Sequence, residues 1–363
     1  MVVYLFVFVV SSFLFYLGSL YKCKWNLYSL LGLFIPAYVA GARDVSVGTD
    51  TEMYVHIYES ALDYHWSDIL YAAITVEPSY FVISKIAAAL GGIFYLFFIY
   101  QLLTLVPIYL TVVKFKKYVN VGIVFCIYFC LLYSLSFNLV RQMAAVSFLF
   151  YGASFLLEQG CKSKYIKFLV CLIVGTLLHS SCLIGGIFII VLYYFFYLKN
   201  SRIYIALYLI GLCLLVMMFL YIGPLLAALQ FGKFESYGTA YAVQRSSYVS
   251  VTELLYRGAF AIILWSTSYW KILNKKMTRI YTMILLSETI IMFLGLYNGF
   301  LVRIAIYFTV FHLIGLPLIV HSKRFTSKSR TAYSLVIALI FLIYWYWTIV
   351  HNGTNAVIPY KFA

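Results

Sequence analysis

Long apolar stretches alternate with short polar breaks along most of this chain, and the lengths of the stretches decide what they can be. A window of about 20 apolar residues is what a helix needs to cross a bilayer core. Candidate spans on that basis run over 2–21, 25–42, 91–113, 119–137, 140–158, 165–180, 183–198, 203–222, 253–271, 280–297, 301–320 and 331–350. The pattern therefore predicts an all-α polytopic membrane protein with about 12 transmembrane helices, read as a single integral membrane domain over 1–363. Two longer polar segments, 43–90 and 223–252, interrupt it and are expected to lie over one face of the bilayer as a lid. Within the first, Thr49-Asp50-Thr51-Glu52 follows Gly48 as a T-x-x-E capping box, so a helix is expected to begin at Asp50. Along it Glu52, His56, Glu59 and Asp63 make one polar stripe, the mark of an amphipathic helix at the interface. Residues 79–90 form either a second such helix or an extension of the third span.

Composition agrees with the pattern. The chain is 65% hydrophobic and 10% charged, with a mean hydropathy of +0.98, too apolar for a soluble domain of 363 residues. The first apolar stretch is too long for a cleavable signal peptide, and no small-residue cleavage site follows it. The cysteines sit in spans or beside lysine-rich ends, so neither a disulfide framework nor a metal-type spacing is expected. No metal and no cofactor is assigned. Walker, dinucleotide-binding, nucleophile-elbow and zincin motifs are missing from the sequence.

Charge then orients the spans. One set of loops carries Lys22, Lys24, Lys114, Lys116, Lys117, Lys162, Lys164, Lys167, Lys199, Arg202, Lys271, Lys275, Lys276, Arg279, Lys323, Arg324, Lys328 and Arg330. The other set carries only Arg43, Lys85, Arg141, Lys233, Arg245, Arg257, Arg303 and Lys361. The positive-inside rule makes the first set cytoplasmic and both termini extracytoplasmic. The net charge of +15 comes from lysines beside spans and does not suggest nucleic acid. The outer set is rich in arginine, whose planar fork suits phosphate or carboxylate. Arg141, Arg257 and Arg303 sit at or slightly inside span ends, where a bland account has them snorkel to headgroups. The alternative is an anionic ligand on the extracytoplasmic side.

Most of the acidic residues lie between Asp44 and Glu77, on that same face. Arg43 can hold a phosphate there, or Gly48-Thr49-Asp50 can be only a turn and a cap. Asp50-x-Glu52 also resembles the acidic pair of metal-dependent glycosyltransferases, but residues two apart on a helix face different ways. Arg141-Gln142 opens a span, adding a guanidinium to the positive end of a helix. His179 ends another, either as a satisfied interface residue or as a proton acceptor near neutral pH. Arg303 has Tyr307 one turn deeper. Glu288 falls mid-span and needs a partner or a water-filled cavity, and His312, about half a turn from the Arg303 face, reads as structural.

Arg43…Val47-Gly48-Thr49-Asp50-Thr51 with Tyr54, Asn138-Leu139-Val140-Arg141-Gln142, Leu178-His179-Ser180 and Arg303 with Tyr307-Phe308 together resemble the signature of EpsG/Wzy-like polysaccharide polymerases. The similarity runs in order through nearly the whole chain, with nothing matched in 203–270. It implies an enzyme of the bacterial inner membrane whose site faces the periplasm. Such an enzyme transfers a growing O-antigen or other glycan from undecaprenyl diphosphate to a hydroxyl of the next undecaprenyl-diphosphate-linked oligosaccharide. Membrane lipids, a chain-length regulator and the pathway's flippase are the implied partners. On this reading His179 or Asp50 takes the hydroxyl proton, while Arg141 and Arg303 stabilise the leaving diphosphate. Arg43, Gln142, Tyr307, Glu52, Arg257 and Arg245 are the further binding candidates, and Tyr64, Trp66, Tyr237 and Tyr241 are candidates to stack on sugars. The competing classes are a lipid-linked oligosaccharide flippase or other carrier, and a ligase-like transferase. A carrier should show internal symmetry and broken helices at mid-membrane.

Overall fold

The structure, a computed structural model, describes residues 1–69, 77–158, 160–199, 203–204, 206–208, 210–211, 251–269, 275–296, 299–320 and 326–363. Most of the expected span 203–222 and nearly all of the outer segment 223–252, with Arg245, Tyr237 and Tyr241, lie outside the described residues. Among the described residues the chain is helical, with one isolated antiparallel bridge between Arg43 and Phe362.

The helices are α1 (Val2–Ser19), α2 (Leu27–Gly41), α3 (Thr51–Asp63), α4 (Pro78–Leu90), α5 (Ile93–Lys114), α6 (Val121–Asn138), α7 (Val140–Leu157), α8 (Lys164–Leu178) and α9 (Cys182–Leu192). They continue as α10 (Val251–Tyr269), α11 (Lys275–Leu294), α12 (Gly299–Thr309), α13 (His312–Val320) and α14 (Ser327–Trp345). Seven helical stretches among the described residues are long and apolar enough to cross a membrane. Shorter apolar helices, α2, α4 and Cys182–Leu198, accompany them. Among the described residues, each expected span other than 203–222 falls on helix with shifted ends, 301–320 as two helices.

Two compact units divide the chain, Met1–Leu183 with Val320–Ala363, and Ile184–Ile319. In the first, α8, whose first turn bears lysines, presents an apolar stripe outward: Ile166, Leu169, Val170, Ile173 and Leu177 are exposed, while Phe168, Cys171 and Leu172 pack inward. A hydrocarbon-facing surface explains that arrangement and water does not. One set of polar groups buried within the bundle pairs across three side chains. Gln101 donates to the Tyr128 hydroxyl at 3.0 Å and accepts from Ser136 at 2.9 Å, as a low-dielectric interior requires.

The loops of this unit sort by charge to opposite ends. At one end the Tyr109 hydroxyl donates to the Lys24 carbonyl, Lys116 reaches the Ser19 and Tyr21 carbonyls at 3.3 Å, and Lys114 pairs with Glu158 at 3.0 Å. At the other end Tyr4 donates to the Val357 carbonyl at 2.9 Å, and Arg43 donates to the Phe137 carbonyl at 3.1 Å. The short turn before Arg141, the loop after Arg43 and the chain beyond His351 therefore share one end.

Several local expectations are resolved here. Residues 78–90 form a helix of their own, because Gly91 (φ 128°) and Gly92 (φ 117°) both take left-handed backbone conformations and break the chain before α5. The capping box is not formed. α3 starts at Thr51 with Asp50 as N-cap and without a side-chain cap bond. The Thr49 hydroxyl instead donates to Asp50 Oδ1 at 2.9 Å, and the Thr49 N–H goes to Asn138 Oδ1 at 2.9 Å. A tertiary bond has taken the residue that the local motif needed. The span 301–320 is likewise divided by a turn at 310–311 into α12 and α13, so the straight-helix geometry assumed for His312 does not apply.

Candidate functional site

Pro78 stands at the first position of α4, where its fixed φ suits a helix start and its missing N–H costs nothing. Glu77 is the N-cap before it, and its carboxylate makes no cap bond but turns into the unit. There Oε2 receives Arg141 Nη1 in a close ion pair. Oε1 lies 3.0 Å from His179 Nδ1 and 3.5 Å from the Ser180 N–H. Three segments thus converge on one carboxylate: the start of α4, the first turn of α7 and the residue that caps the end of α8.

The aromatic surroundings fix the guanidinium. Arg141 Cζ lies 5.8 Å from the Tyr54 ring centre and 5.5 Å from that of Tyr80, within cation–π range. The Tyr80 hydroxyl donates to the Tyr54 carbonyl at 2.7 Å, tying α4 to α3. Glu77 is only 9% exposed. Burial by itself would raise its pKa, but the His179 hydrogen bond and the Arg141 charge outweigh it and pull the carboxyl down to about 2. Glu77 is therefore ionised at any physiological pH. A carboxylate at Nδ1 favours the imidazole tautomer with its proton there, which leaves the Nε2 lone pair available as a base.

The sequence reading named Arg141 and His179, and the structure brings these two together through Glu77. It missed Glu77 itself, the last of the acids counted between Asp44 and Glu77. The available signal was Glu-Pro at a helix start, which separates this acid from the stripe on α3. That stripe is solvated: His56 lies 4.0 Å from Glu52 and 3.6 Å from Glu59, and all three side chains are mostly exposed. Trp66 is exposed and packs edge-on against Phe81, with Tyr64 half-buried nearby in the chain. Asp50 is half-buried at the N-cap of α3, and Gln142 is buried next to Arg141 in sequence. Arg43 is 4% exposed. It donates to the Ala40 and Phe137 carbonyls at 3.0 and 3.1 Å and lies between the Phe97 and Phe137 rings, at 3.9 and 4.5 Å. That geometry fastens the loop to the bundle.

The second unit holds Arg257, Arg303 and Tyr307. Arg303 is half-buried and Tyr307 fully buried on α12. Arg257 is committed to two carboxylates: Nη1 to Glu288 Oε1, and Nε and Nη2 to Glu253 Oε2, each at 3.1 Å. Glu288 also accepts from Thr309 at 2.6 Å and lies 2.6 Å from His312 Nε2. The mid-span carboxylate thus finds partners on three other helices, α10, α12 and α13, and His312 is one of them. No group of three or more His, Cys, Asp or Glu side chains suited to a metal ion occurs among the described residues.

No curated relative and no solved structure matches the chain. A family model described as the EpsG family matches residues 25–362, a range that contains the Arg43 loop, Glu77, Arg141, His179 and Arg303. The chain belongs to the EpsG family of polysaccharide-polymerase-like membrane proteins.

Proposed function

We propose that this protein is a polysaccharide polymerase that extends a glycan carried on a lipid diphosphate at the extracytoplasmic face of the bacterial inner membrane. The reading rests on one observation above all, the Glu77–His179–Arg141 cluster at a single end of the bundle. In the step proposed, a hydroxyl of the incoming lipid-linked oligosaccharide attacks the anomeric carbon of the growing chain. The carbon–oxygen bond to the diphosphate breaks, and its electron pair stays on the phosphate oxygen. His179 Nε2 takes the hydroxyl proton while Glu77 holds the opposite edge of the ring, and the configuration inverts. Asp50 is the alternative proton acceptor.

The electrostatics suit that step. Glu77 and Arg141 are a neutral pair, so positive charge appears on His179 just as negative charge gathers on the departing diphosphate. Arg141 offers its guanidinium to the diphosphate. Gln142 from the same helix is proposed to add to the anion's contacts, and Arg303 and Tyr307 remain diphosphate-binding candidates on the family resemblance. Arg43 acts by holding the loop that carries Asp50. The natural carrier is undecaprenyl diphosphate, and an O-antigen unit or another bacterial glycan is the substrate class.

The reading is tested with purified protein and one defined undecaprenyl-diphosphate-linked repeat unit. A ladder of polymer still bound to lipid diphosphate is expected, together with released undecaprenyl diphosphate. Alanine at His179, Arg141 or Arg303 should abolish the ladder at normal protein levels. Persistence of long glycans in any of these variants sinks the mechanism. Transfer of a single unit to another acceptor would identify a ligase instead, and translocation without a new bond a carrier.

A further inference from the structure

The chain beyond α14 does something that the proposed chemistry does not use. After His351 it turns through three left-handed backbone positions, Gly353 (φ 65°), Asn355 (φ 73°) and Ala356 (φ 48°), two of them not glycine. Such conformations persist only where the surroundings hold them. Here the surroundings are the loop between α2 and α3. The Gly48 N–H donates to the Ala356 carbonyl at 2.9 Å, the Asp44 N–H to the Lys361 carbonyl at 3.0 Å, and the Ala363 N–H to the Ala42 carbonyl at 3.0 Å. Tyr360 donates from its hydroxyl to the Val39 carbonyl at 2.6 Å, and Val357 is buried, its carbonyl accepting from Tyr4.

One side chain, at the end of α6, joins this strap to the turn that leads into α7 and Arg141. Asn138 Nδ2 donates to the Asn355 carbonyl at 3.0 Å, while its Oδ1 accepts from the Thr49 N–H at 2.9 Å. Asn138 is 4% exposed and lies three residues before Arg141. The loop then enters α3, where Thr51 donates to the Val47 carbonyl at 2.6 Å and Tyr54 lies against Arg141. Tyr54 also accepts from Tyr80, three residues after Glu77.

We propose that residues 352–363 are a positioning strap, clasped by Asn138, that sets the 43–50 loop and, through α3 and Tyr54, the place of Arg141 beside Glu77. None of the strap's hydrogen bonds given above goes to Glu77, Arg141 or His179. Its role rests on the polymerase reading only in the activity arm of its test.

Three measurements test it. Backbone amide exchange in the intact protein, with no substrate present, should show Asp44, Gly48, Thr49 and Ala363 opening as one cooperative unit; independent opening overturns the strap. Chain ending at His351 should still be recovered in the membrane, with fast exchange over 43–63 and polymerisation slowed about a hundredfold, at a nearly unchanged KM for the lipid-linked unit. A synthetic peptide of residues 352–363 added in trans should restore both. Full activity of the shortened chain, or lost activity with exchange over 43–63 unaltered, overturns the proposal. Asn138→Leu in the full chain removes both clasp bonds and should loosen 43–50 and 354–363 together; loosening of neither overturns the clasp even if the shortened chain does not fold. An intact protein that makes no polymer but passes the exchange arm refutes the polymerase reading and leaves the strap standing.

Discussion

Glu77 and His179 are separated by 102 positions in the chain, yet Oε1 of one lies 3.0 Å from Nδ1 of the other. That contact favours the tautomer with its proton on Nδ1, and so ties Glu77 to the base proposed for His179. Glu77→Gln keeps the size of the side chain but removes the charge, and its amide no longer enforces the same tautomer. Polymerisation should fall by about 10²–10⁴-fold, the usual worth of a correctly held general base. The check is the initial rate with a defined lipid-linked unit at equal protein levels. A rate within threefold of the parent protein would refute the dyad, and Glu77→Asp should retain more activity than Glu77→Gln.

The same carboxylate makes stability depend on acid. Its pKa in the folded protein, about 2, is depressed from the ordinary 4.5. The stabilisation is therefore fully present above about pH 4.5 and is lost as the pH falls through about 2. Linkage bounds it at roughly 3 kcal/mol. Thermal unfolding followed between pH 6 and pH 2.5 should show the parent protein losing stability in that window. Glu77→Gln, already lacking the charge, should show a shallower fall, and parallel curves would remove Glu77 from the account.

Gly48 cannot accept a side chain. Its φ is 105°, and a Cβ there would lie 2.6 Å from Asn138 Oδ1 and 2.7 Å from Thr51 Oγ1. Gly48→Ala should cost about 1–3 kcal/mol, from backbone strain alone or with the displaced clasp added. The apparent melting temperature in detergent reads this directly. An unchanged melting temperature together with full activity would contradict the loop geometry.

Arg257 and Glu288 in the second unit call for a double-mutant cycle. Arg257→Met takes the guanidinium away from both Glu253 and Glu288, and Glu288→Met removes one of the two carboxylates that it pairs with. Breaking such a buried pair from one side costs about 3–5 kcal/mol, whereas apolar replacement of both partners is often close to neutral. The double variant should therefore be more stable than Arg257→Met. Additive losses would mean that the two residues do not act as a pair.

What was legible in the chain follows from which interactions are local. Span positions depend on runs of apolar side chains, and the sorting of lysines from arginines depends on loop composition, so both could be read directly. So could Arg141 and His179, because a polar residue at the end of an apolar span is conspicuous wherever the span ends up. Glu77 was hidden among acids that look alike in sequence, and only tertiary contact separates it from the solvated stripe of Glu52 and Glu59. Asn138 shows the same limit from the other side. Its bond to the Thr49 N–H displaced the expected capping box, and its bond to Asn355 spans 217 positions, which no periodicity reports. The sequence by itself determined a helical membrane protein whose lysine-rich loops are set apart from its acid-rich segment. Which carboxylate meets which histidine, and that Arg43 is held by two carbonyls and two rings, were decided by packing, because a buried charge takes the partners that folding brings within reach.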